Sequence, residues 1–225
     1  MNWLAIYVEA SVLGICLLII AYFAACVAMS RASLWAAVAK SLGVIAWFVA
    51  VFELAHTGIF EGSQPGARMY ILLALGVPLV IGGLWSLTDN ARDFVAELPT
   101  GSIAAILAVR LNGVVFLIAL LNDSVPTWLG LWAGLHEMFV GVISPVMALA
   151  AARGDRRVFS VGRVVNITCI LHTTAIGVTA AWLCDGAGFF MTVHPLVLYT
   201  VFVMPASIVL HLLSLTKIRL TRQIV

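Results

Sequence analysis

The sequence predicts an all-α integral membrane protein: a seven-transmembrane helical bundle forming one domain over residues 1–225. Three observations carry that expectation. Of 225 residues, 63% are hydrophobic and 10% charged, where a soluble domain carries about 25% charged residues. The mean hydropathy is +1.13. Apolar runs of about twenty residues, the length that crosses a bilayer core, recur from end to end. The connections between them leave no room for a soluble domain. A net charge of +2 makes no basic surface for nucleic acid.

The first span covers residues 3–29. It lacks a basic leading segment and is too long for the apolar part of a signal peptide, so it reads as a retained helix. The second, 33–60, closes at "EGSQPGAR"; the third, 68–88, closes at "TDNARDFVAELPTG", read as a loop. The fourth, 101–122, ends at "NDSVPT", the fifth, 127–152, at "RGDRR", and the sixth, 157–184, at "CDGAG". The seventh runs over 188–216. Pro78, Pro145 and Pro205 fall inside spans, where neighbouring helices can satisfy the freed carbonyls.

Charge sets the expected orientation. Arg31, Arg92, Arg153, Arg156 and Arg157 occupy the first, third and fifth connections, and Lys217, Arg219 and Arg222 the tail. The other connections hold Glu61, Asp123, Asp185 and a single Arg68. The positive-inside rule then places the N-terminus outside and the C-terminus in the cytoplasm. Trp3, Trp128 and Trp182 fall near the outer boundary, Trp35 and Trp85 near the inner one. Compactness and alanine-rich spans suggest a multi-pass protein of a bacterial inner membrane.

Ionisable groups inside spans are costly and mark function. Glu9, Glu53, His56, Arg110, Asn112, His136, Glu137, His172 and His194 come from six spans. By linear count they share a slab roughly 6 to 17 Å below the outer surface, which predicts one convergent polar site. Lys40, Arg163, Asn166 and His211 lie in the inner half, within snorkelling reach of the cytoplasm or able to bond locally. Arg110 stays charged and must find a partner, with Glu9 and Glu137 as the choices.

Glu53 and His56, three residues apart, point the same way. Glu-x-x-His is the unit by which helical bundles place two ligands on one ion. A di-iron site needs it twice, and this chain has it once. His136 and Glu137 are adjacent, so they diverge by about 100°. Facing histidines at matched depth are what haem b needs as axial ligands. His136 with His172 is the deeper such pair, and His56 with His194 the shallower one.

The expected function is therefore a haem- or transition-metal-binding, redox-active membrane protein, with ligands among Glu53, His56, His136, Glu137, His172 and His194. Glu9, Arg110 and Asn112 support them. The bilayer is the first partner, with quinone or other membrane subunits beside it. A proton-coupled transporter using the same cluster is the alternative, as is a non-catalytic subunit of a larger complex. The seventh span as drawn holds no lysine for a retinal Schiff base. Cys16, Cys26 and Cys169 lie in apolar segments and, with Cys184, form no CxxC, so they read as small apolar residues rather than a redox framework.

Overall fold

A computed structural model describes residues 3–29, 34–121, 125–155, 157–182 and 189–223. Arg31, Asp123, Arg156, Cys184 and Asp185 lie outside the described residues. The chain is 87% helical, with no strand among those described. Seven of its helical segments are long and apolar enough to cross a membrane. In order they are α1 (Trp3–Met29), α2 (Leu34–His56), α3 (Ala67–Ser86), a composite fourth span, α7 (Thr127–Ala152), α8 (Arg157–Trp182) and a seventh ending in α9 (Met204–Gln223). Large apolar side chains cover the outside, among them Val80 at 61% exposed and Leu171 at 66%. That surface suits hydrocarbon as solvent. Trp35, Trp128 and Trp182 are also exposed.

The fourth span is not one helix. It runs as α5 (Ser102–Ile106), a 3₁₀ stretch over Leu107–Gly113, and α6 (Val114–Leu121). A 3₁₀ helix has three residues per turn, so residues three apart align. Leu107, Arg110 and Gly113 are its buried residues, one edge turned inward. That edge packs on α7, whose glycines allow the approach. A Cβ on Gly134 would come within 2.7 Å of Leu117, and one on Gly130 within 2.8 Å of Leu120. On Gly141 it would collide with the Leu111 backbone.

The seventh span starts later than expected. A π-helical turn over Tyr199–Val203 precedes α9, just before Pro205, whose ring clashes with the carbonyl four residues back and disturbs the regular ladder. His194 consequently lies in the connection before the helix, at a cis bond to Pro195, and not inside the span. The far end is longer than expected: α9 continues to Gln223, so the seventh helix does contain a lysine. Lys217 Nζ donates to the carbonyls of Val95, Ala96 and Leu98 at 2.7–3.1 Å.

Those carbonyls end a helix that the sequence reading took as loop, α4 (Asp89–Glu97). Thr88 caps its start, with Oγ1 accepting from Ala91 N at 3.3 Å. Ala91, Phe94 and Val95 face inward, and Lys217 closes its end. Cys16, Cys26 and Cys169 are buried free thiols, in keeping with their reading as apolar residues.

Candidate functional site

The expected site residues fall into three groups. The deepest is centred on Arg110, 2% exposed, and Glu137, 2% exposed. The 3₁₀ edge delivers the guanidinium to α7, where it forks onto the carboxylate. Nε donates to Oε2 at 2.7 Å, and Nη2 donates to Oε1 in the same ion pair. Tyr199, from the π-helical turn, donates its hydroxyl to Glu137 Oε2 at 2.7 Å. Thr173 on α8 accepts from Arg110 Nη2 at 2.8 Å.

The remaining arm of Arg110, Nη1, reaches His211 Nε2 at 2.6 Å. A guanidinium can only donate, so Nε2 accepts and the proton of His211 sits on Nδ1. Nδ1 then donates to Asn166 Oδ1 at 2.7 Å, and Asn166 Nδ2 donates to Gly162 O at 2.6 Å. One chain of bonds thus runs Tyr199–Glu137–Arg110–His211–Asn166 through four spans. Arg110 meets Glu137, and Glu9 is elsewhere. The sequence did not point to Tyr199 or Thr173 as members of this group, and it set Asn166 and His211 apart in the inner half. A usable signal was present on the sixth span: Asn166, Cys169 and Thr173 repeat at helical spacing on one buried face.

The second group is His136 and His172. Their rings stack at 3.5 Å between centroids, 20° from parallel. Trp132 meets the His172 ring edge-on at 4.7 Å. His136 Nδ1 and His172 Nε2 are buried and have no hydrogen-bond partner among the described residues. As expected from their adjacency, His136 and Glu137 diverge: one joins the stack, the other the ion pair.

The third group lies where α2 ends. His56 and His194 stand 4.2 Å apart between centroids, with Phe52 against both rings. His56 Nδ1 meets Phe52 O at 2.9 Å. His194 Nε2 is buried without a partner, and Glu9 is within electrostatic reach of that ring. Glu9 and Glu53 are exposed. Asn112 is half-buried, its side-chain amide nitrogen without a partner. The polar residues thus form separate groups instead of one site, and His56, like Glu9 and Glu53, is exposed.

Among the described residues, no group of three or more His, Cys, Asp or Glu side chains is placed to hold a metal ion. Two imidazoles apiece is what each histidine pair offers. The stack itself is not a coordination geometry, since axial ligands aim nitrogens, not ring faces, at a metal about 2 Å away. What fits is the donor chemistry: imidazole nitrogens without partners, contributed by different segments of the chain. No known family model, curated protein or solved structure matches the chain.

Proposed function

We propose that this chain is a redox-active membrane protein that binds haem b or a transition metal through its histidine pairs. The observation that supports it is the set of orphaned ring nitrogens on His136, His172 and His194. A buried polar atom without a partner costs about 1–3 kcal/mol, and a metal would satisfy it. A pair of imidazoles without a third protein ligand suits a group that brings its own donors, as a porphyrin does. His136 and His172 would hold such a group through these ring nitrogens, and the group would supply the redox chemistry. Orientation belongs to the same reading: the histidine pairs in the outer half of a bacterial inner membrane, the basic end in the cytoplasm, and quinone or a further membrane subunit as the electron partner.

The test is the spectrum and metal content of protein purified from haem- and metal-replete cells. A Soret band that shifts on dithionite and is lost in His136→Ala or His172→Ala supports haem. Stoichiometric metal without that band, lost in the same variants, supports a bare metal. Colourless, metal-free protein overturns both.

Proton-coupled transport is the second reading, favoured by the hydrogen-bonded chain from Tyr199 to Asn166. It ranks lower because a permanently charged guanidinium stands in the middle of that chain, with its partners satisfied. Proton uptake by reconstituted vesicles that is lost in Glu137→Gln would reverse the ranking.

A further inference from the structure

One cavity of the bundle has no part in the histidine pairs or the Arg110 network. It is a half-open cleft of about 440 Å³ between α1, α2, α3 and α9, within the range of small-molecule sites. Tyr22, Gly43, Trp47, Trp85 and Leu213 are among its walls, and among the described residues the one charged side chain lining it is Lys40. The way in is from the side: Val77 and Ile81, both lining residues, are 51% and 64% exposed. Lys40 lies six residues into α2, toward the end of the bundle where Arg92, Arg153 and Lys217 lie. Among the described residues no carboxylate is seen paired with it, and its Nζ lies over the Phe94 ring, 5.5 Å from the centroid.

An apolar slot, opening sideways and headed by one unpaired cation at the basic end of a bundle, has the chemistry of a lipid. We infer that it holds an acyl chain of an anionic phospholipid whose headgroup lies on Lys40. The tail fills the slot against Trp47 and Trp85, and the ammonium meets the phosphate where the slot reaches the interface. A neutral zwitterionic lipid would fill the same slot but gain less from the cation. The basic end reinforces the choice: a second, smaller cleft on α3, α4 and α9 is lined by Arg219 and by Arg92, the latter ion-paired with Asp89, so Arg219 adds to the draw of anionic headgroups to this leaflet.

Gly43 gives the test a steric plug. A Cβ there meets nothing within 4 Å, so Gly43→Phe adds a ring at the wall of the slot with no clash at Cβ. The protein is reconstituted in nanodiscs containing phosphatidylglycerol or phosphatidylcholine with brominated acyl chains, and quenching of tryptophan fluorescence is measured. Trp47→Phe and Trp85→Phe identify the share of the signal that comes from the slot. The slot tryptophans should be quenched by both lipids, with phosphatidylglycerol preferred about fivefold, the gain from one basic side chain near the surface. Lys40→Gln should abolish the preference and leave the quenching. Gly43→Phe should abolish the slot share while leaving the thermal midpoint and far-ultraviolet circular dichroism unchanged. Equal affinity for the two lipids in the unaltered protein, or slot quenching that survives Gly43→Phe, overturns the inference. So does a prenyl quinone recovered from the slot in place of phospholipid. A chain without haem or metal leaves this experiment unaffected.

Discussion

Arg110 is a buried cation whose main debt is to Glu137. Removing one partner of such a pair strands the other charge, which costs about 3–5 kcal/mol. Arg110→Met and Glu137→Gln should each lower the thermal midpoint of the detergent-solubilised protein by a margin of that order. The double variant should recover part of the loss, and full additivity would show that the two do not act as a pair. Tyr199→Phe removes one neutral-to-charged hydrogen bond and should cost about 1.5–3 kcal/mol. That Arg110 needed a partner was legible in the sequence, because a mid-span guanidinium allows no alternative. Which partner was not legible, because it depends on where the 3₁₀ turns aim the side chain. His211, read as an inner-half residue able to bond locally, bonds across spans to Arg110 and Asn166. Counting residues from a span boundary measures the depth of a Cα, whereas Arg110 and His211 meet through a long side chain, in a span that both starts and ends later than the sequence suggests.

The α7 glycines belong to the scale of the element. Small residues at a helix interface let backbones approach closely, and Gly130, Gly134 and Gly141 line the face that α7 turns to the fourth span. Gly141→Leu meets backbone, which cannot step aside, and should cost about 1–3 kcal/mol or more, read as a lower midpoint for unfolding. Gly14→Leu, at a position where a Cβ meets nothing within 4 Å, should leave the midpoint unchanged. Lys217→Met should remove the three hydrogen bonds that close α4, speeding amide exchange over Asp89–Glu97 with little change elsewhere. Spans were readable from hydropathy and length. The nine residues of α4 were not, since their helix depends on Thr88 at one end and on a lysine 119 residues from Leu98 at the other.

For the whole molecule, the charged connections divide the chain into a basic and an acidic end. In a background without native cysteines, Gln64→Cys should react in intact cells with a membrane-impermeant maleimide, and Asp155→Cys only after lysis. The reverse pattern would invert the orientation and place the histidine pairs on the other side of the membrane. The bundle is held in two ways. Packing of apolar side chains joins α1 and α2 to each other and to the start of the seventh span, whereas the fourth to seventh spans are also tied by the buried hydrogen-bonded chain. Seven spans and two histidine pairs were visible in linear order, because hydrophobic length and matched depth are one-dimensional properties. The division of the polar residues into separate groups was not, because it depends on how each helix is rotated about its axis.

The order in which the Arg110 partners are synthesised sets a constraint on biogenesis. The arginine is made 27 residues before Glu137, 63 before Thr173 and 101 before His211. A nascent chain ending at Leu121 therefore presents the translocon with a lone guanidinium at mid-segment, a burden of about 2.5–3.5 kcal/mol on the insertion scale. Release of that segment into lipid should be completed only when the ribosome has delivered α7.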